Sequence, residues 1–67
     1  MRNSIAALRA ARHLTQADLA AQLGVSRQTV ISIERGRYDP SLPLAFRIAA
    51  VFVSTIEEVF AGPEDDS

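Results

Sequence analysis

Between Leu23 and Gly36 the chain reads LGVSRQTVISIERG, and its polar residues are of types that recognise flat hydrogen-bonding partners. Gln28 donates and accepts side by side, Arg27 and Arg35 carry forked guanidinium groups, and Thr29 and Ser32 add hydroxyls. On a helical wheel Ser26, Val30 and Ile33 gather on one side, while Gln28, Ile31, Ser32 and Arg35 gather on the other. Arg27 falls on the border, in the exposed first turn. Such an outward face suits base edges of a duplex: glutamine pairs bidentately with adenine, arginine with guanine, and an outward Ile31 suits a thymine methyl. The free N–H groups and positive end of the helix dipole suit phosphate. Most outward helix faces are simply solvated, so the wheel alone does not choose a partner.

The elements that must position this helix choose one. Five helical segments can be drawn, and no strand pattern competes with them. Asn3 or Ser4 caps a first helix that buries Ile5 and Leu8 and ends near Arg12. Thr15 caps the second and with Asp18 makes a capping box, Leu19 and Leu23 mark its buried side, and Gly24 stops it. Ser26 caps the third and Gly36 ends it, and Asp39-Pro40 disfavours its continuation. Ser41 caps the fourth, with Pro43 in its first turn and Leu44, Ile48 and Val51 on one face. Thr55 and Glu58 box a short fifth helix carrying Ile56, Val59 and Phe60. A capped helix, a glycine turn and a second capped helix form the unit that sets its second helix in a major groove.

Composition agrees with that reading once it is divided along the chain. Sixty-seven residues allow one small domain, which buries only roughly 60% of its unfolded surface. No cysteine is present, so disulfides and cysteine-based zinc sites are excluded, and the single His13 makes no metal site alone. The longest apolar run, Ile48 to Val53, is too short to span a bilayer, and no signal peptide opens the chain, so a cytoplasmic protein is expected. The formal net charge is −1, yet residues 1–47 hold all seven arginines against Asp18, Glu34 and Asp39, a net of +4. Residues 48–67 hold no base and five acids, Glu57, Glu58, Glu64, Asp65 and Asp66. The division implies a basic working surface over a domain at 1–61 and an acidic flexible tail at 62–67.

The stretch LTQADLAAQLGVSRQTVISIERGRYDPSLPLAFRIAAVF resembles the helix-turn-helix domain of the phage-repressor type, the Xre or Cro-like family. The ordered string T-Q, L-A, L-G-V-S, I-E-R-G and P-S-L carries the resemblance, which covers residues 5–60. It implies an all-α, compact five-helix, lambda-repressor-like fold with the helix-turn-helix at helices 2 and 3. By the same resemblance Gln16 contacts phosphate and braces the reading helix, and Arg27, Gln28 and Ser32 touch bases. Thr29 and Arg35 reach bases or backbone, and Arg37 and Tyr38 form a phosphate-contacting turn, Tyr38 packing against its loop being an equal alternative. Arg9 and Glu34 match a pair that joins the first and third helices, whereas Arg2, Arg12 and His13 are expected to be solvated. Val53 stands where relatives often have glycine, and because a β-branched residue resists positive φ the turn is expected to adopt another conformation.

The function expected from these residues is a sequence-specific DNA-binding transcriptional regulator, a repressor in the first instance, acting as a homodimer on a near-palindromic operator. The fifth helix holds more apolar bulk than so short a segment can bury, so Ile56, Val59 and Phe60 are expected at the dimer interface. No cofactor is called for, and no nucleophile–base set or phosphate-binding glycine loop suggests an enzyme. The alternatives are an antitoxin or other protein-interaction module with an unidentified protein partner, and a restriction–modification controller. Both retain the DNA-binding fold.

Overall fold

The computed structural model describes residues 2–60, so the acidic segment at 62–67 lies outside the described residues. Five helices follow one another: α1 (Ile5–Ala11), α2 (Gln16–Leu23), α3 (Arg27–Glu34), α4 (Leu42–Val51) and α5 (Ile56–Val59). The described residues contain no strand, only an isolated antiparallel bridge between Asn3 and Phe60. The caps fall where the sequence puts them. Thr15 and Asp18 make a reciprocal box at α2, Thr55 and Glu58 do the same at α5, and Ser26 and Ser41 accept N–H groups from α3 and α4. At α1 it is Asn3 that serves, its Oδ1 accepting the Ile5 N–H at 3.2 Å, because the Ser4 side chain makes no cap bond.

Four of the five helices end in the same left-handed turn. The left-handed residue is the cap itself at α2, Gly24, and the residue after the cap at α1, α3 and α4, namely His13, Gly36 and Val53, with φ of 73°, 58°, 74° and 51° in that order. In each case two backbone N–H groups fold back onto the last free carbonyls; at α4 Ser54 donates to Ala49 at 2.9 Å and Val53 to Ala50 at 3.1 Å. Val53 therefore keeps the conformation that a glycine would hold, contrary to the expectation that its branched side chain would force another. The two carbonyl partners fix the turn, and the residue bears a cost of about 1–2 kcal/mol or more for it.

One core unites the helices: Ile5 from α1, Leu19, Ala20 and Leu23 from α2, Val30 and Ile33 from α3, Leu44, Ala45, Ile48 and Ala49 from α4, then Phe52, Val59 and Phe60. The last two correct the expected interface. Val59 is fully buried and Phe60 nearly so, within the protomer itself. The reason is the N-terminal segment, which the helix pattern did not foretell: Ser4 donates to the Val59 carbonyl at 2.8 Å and Asn3 bridges Phe60, closing the chain's start over α5. Ile56 remains half-buried at the edge. The exposed large apolar groups lie elsewhere, at Tyr38, Leu42, Phe46 and Val53.

Candidate nucleic-acid interface

The turn between α2 and α3 is short because both ends are capped within it. Gly24 releases α2 in the left-handed conformation, Val25 tucks against the core, and the Ser26 hydroxyl accepts the Thr29 N–H at 3.1 Å. The same hydroxyl lies 2.9 Å from that of Thr29, which fixes the first turn of α3. Val30 and Ile33 then anchor the helix in the core and turn its opposite side outward.

On that outward side Gln28, Thr29, Ser32 and Tyr38, with Ser26, line a shallow hollow of about 270 Å³, each bringing a hydrogen-bonding side chain. Gln28 is exposed at its rim, Thr29 and Ser32 are half-buried, and Tyr38 stands about half exposed on the loop after α3. Four of the residues expected to touch DNA are thus brought together. Arg27 and Arg35 are exposed at the two ends of α3. Arg37 is aimed by the glycine turn: its N–H donates to the Ser32 carbonyl at 3.0 Å, and Gly36 donates to Ile33 at 3.0 Å. The backbone of the loop is therefore set by hydrogen bonds from α3 itself, while the Arg37 side chain stays exposed.

Beneath this face a polar cluster holds α3 to the rest of the domain. Arg9 Nε donates to Glu34 Oε2 at 2.8 Å, and a second guanidinium nitrogen reaches Oε1 at 3.4 Å. Side-chain exposure is 19% for Arg9 and 8% for Glu34, so the pair is largely shielded from water. Arg9 Nη1 also donates to the Leu14 carbonyl at 2.9 Å, fixing the turn between α1 and α2. Gln16, the first residue of α2, donates its amide to Glu34 Oε1 at 3.1 Å. Its side chain is braced against α3, as the resemblance implies, and α1, α2 and α3 share one carboxylate.

Three anchors had no reading in the sequence or a different one. Asn3 Nδ2 donates to the Ile33 carbonyl at 2.8 Å, so the N-terminal segment helps to hold the end of α3. Arg47 donates to the Leu23 carbonyl at 2.7 Å and ties α4 to the helix-turn-helix corner. Arg12, expected to be merely solvated, instead donates to the Phe52 carbonyl at 2.7 Å, and its guanidinium carbon lies 5.7 Å from the centre of the Phe52 ring. It neutralises the negative end of α4. No periodicity marks such arginines, because each meets a carbonyl more than twenty residues away.

No described helix is long and apolar enough to cross a membrane. The helix-turn-helix family model matches residues 5–59. The chain is 54% identical over 66 residues to an uncharacterised HTH-type transcriptional regulator of Methanocaldococcus jannaschii, covering 98% of this chain and all of the relative. It is 45% identical over 60 residues to the uncharacterised HTH-type transcriptional regulator YgzD of Bacillus subtilis, covering 90% and 91% of the two. In structure it is similar to the restriction-modification controller protein C.AhdI from Aeromonas hydrophila, with a TM-score of 0.75, 32% identity, and coverage of 84% and 85%. The family match spans all five helices, and the packed pair α2 and α3 is its defining unit. This chain belongs to the Xre/Cro-like helix-turn-helix family of transcriptional regulators, whose members are DNA-binding proteins rather than enzymes.

Proposed function

We propose that the protein represses transcription by binding a near-palindromic operator as a homodimer, with α3 of each copy in the major groove. The observation that carries this reading is the hollow on the outward face of α3, where the hydrogen-bonding side chains of Gln28, Thr29, Ser32 and Tyr38 converge. Gln28 and Arg27 supply the bidentate groups that distinguish base pairs, and Ser32 adds a hydroxyl between them and the loop. Arg35 and Arg37 flank the hollow as exposed cations suited to phosphate. Gln16 has further amide hydrogen-bonding capacity beyond its bond to Glu34, which suits a phosphate beside the start of α2. Residues 1–47 carry a net charge of +4, which favours approach to a polyanion even though the whole chain is at −1.

The likeness to a restriction-modification controller supports a second reading in which the operator lies before a gene for such a system. The DNA chemistry of the two readings is the same. Selection of bound fragments from a random DNA pool tests their shared claim. A symmetric pair of half-sites is expected, with adenine or guanine enriched at fixed positions. Recovery of fragments with no common sequence would contradict it.

A further inference from the structure

We infer that Asn3 is a positioning residue for DNA binding: through the Ile33 carbonyl it sets the turn that presents Arg37 and Tyr38, without touching DNA itself. The inference rests on the phosphate role proposed above for Arg37 and adds what aims that side chain.

The loop after α3 hangs on two carbonyls. Gly36, at φ of 74°, donates its N–H to Ile33 at 3.0 Å, and Arg37 donates to Ser32 at 3.0 Å. This is the paired closure of a left-handed helix end. A carbonyl has two lone pairs, and Asn3 Nδ2 also donates to that of Ile33, at 2.8 Å. One acceptor thus joins the third residue of the chain to the turn that begins the loop. A carbonyl held by the loop alone is free to tilt with it. Gripped from the domain side as well, it keeps its direction, and the turn keeps its own.

Asn3 works from a fixed base. Its Oδ1 accepts the Ile5 N–H at 3.2 Å, its backbone bridges Phe60, and Ser4 beside it donates to the Val59 carbonyl at 2.8 Å. With both polar atoms engaged, the short side chain is a strut between the α5 end of the domain and α3. The two bonds also select the residue type. Ile5 offers a donor and Ile33 an acceptor, so one short group must accept on one side and donate on the other. Asparagine does both; aspartate has no donor, and a serine hydroxyl stands one atom short.

The placement separates this role from contact with bases. Asn3 lies outside the hollow lined by Gln28, Thr29, Ser32 and Tyr38, yet the turn it holds leads straight into Arg37 and Tyr38. The other brace on this end of α3, from Arg9 and Gln16, grips the Glu34 side chain and not the backbone. Asn3 therefore controls what that brace does not, the direction in which the chain leaves the reading helix.

The experiment uses N3D and N3S in the full chain, with R37A alone and combined with N3S. N3D and N3S both keep an oxygen for the Ile5 N–H and lose the bond to Ile33, and only N3D adds charge. Amide hydrogen exchange is followed by NMR at a temperature where circular dichroism shows every chain folded. Gly36 and Arg37 are expected to exchange about 5- to 10-fold faster in both variants, while Gly24 and Val25, which close the equivalent turn after α2, keep the parent's rates. Rates that rise together at both turns mark a general loss of stability and overturn the inference. Unchanged rates at Gly36 overturn it alone and leave the phosphate reading of Arg37 standing.

Fluorescence anisotropy against random-sequence duplex and the selected operator is then measured over a range of salt. N3S is expected to bind both about 3- to 5-fold more weakly, with a salt slope lowered by up to about one. In the R37A background it is expected to add no further loss. Additive losses, or a loss in N3D that N3S does not share, overturn the route through Arg37. An R37A chain that binds DNA like its parent overturns the phosphate reading of Arg37 and this inference with it.

Discussion

Gln28 and Arg37 are both exposed, yet the proposed function has them fail in different ways when truncated, since it assigns one to base edges and the other to phosphate. Gln28→Ala should weaken binding to the selected operator by about 1–3 kcal/mol per half-site and leave random DNA nearly unaffected. An unchanged ratio of the two affinities, measured by fluorescence anisotropy, would show that α3 does not read through this residue. Arg37→Ala should weaken both kinds of DNA alike and lower the slope of log affinity against log salt by about one. At this scale the sequence was legible in which side chains share the outward face of α3, as Gln28 and Ser32 do. It was illegible wherever a side chain acts through a distant carbonyl. Arg12 reads as a solvated cation, and Arg47 has no role at all, until the C-terminal ends of α4 and α2 are seen beside them.

Between elements, the single carboxylate of Glu34 carries unusual weight, since Arg9 from α1 and Gln16 from α2 both donate to it. Removing the guanidinium by Arg9→Ala leaves a buried charge with only the Gln16 amide, a loss near the low end of about 3–5 kcal/mol. A domain of this size holds only about 3–10 kcal/mol in total. Thermal melting should show a drop of well over ten degrees or a chain already unfolded at room temperature; a melting curve like the parent's would reduce the pair to surface neighbours. The cap of α2 offers a gentler test. Hydrogen bonds from the Thr15 backbone and then its side chain hold the Asp18 carboxyl below its usual 3.8. The cap's contribution is therefore complete above the unfolded value and fades as pH falls through the lowered one. A carbonyl NMR titration should place Asp18 below an unfolded-peptide reference, and Thr15→Val should move it back up. Capping boxes and glycine stops made the helix boundaries readable from residue types alone. The turn at Val53 was misread because local propensity argued against a left-handed valine, while two backbone hydrogen bonds to Ala49 and Ala50 decided for it. The burial of Val59 and Phe60 escaped the same kind of reading: their cover comes from Asn3 and Ser4, at the other end of the chain.

For the whole molecule, the charge is divided along the chain in the way the proposed DNA-binding role favours. All seven arginines precede residue 48, and every acid beyond that point lies in α5 or the residues after it. The hollow on α3 and an apolar groove beside Phe46 are separate surfaces over one small core. If two copies bind one operator as proposed, the two reading helices must stand about 34 Å apart to enter successive major grooves on one side of the duplex. Hydroxyl-radical footprinting and major-groove methylation interference on the selected operator test that arrangement most directly. The account predicts two equivalent protected patches about one helical turn apart on the same face, interference at purine N7 positions in both, and two copies bound. A single protected patch, or protection with no interference in the major groove, would contradict it.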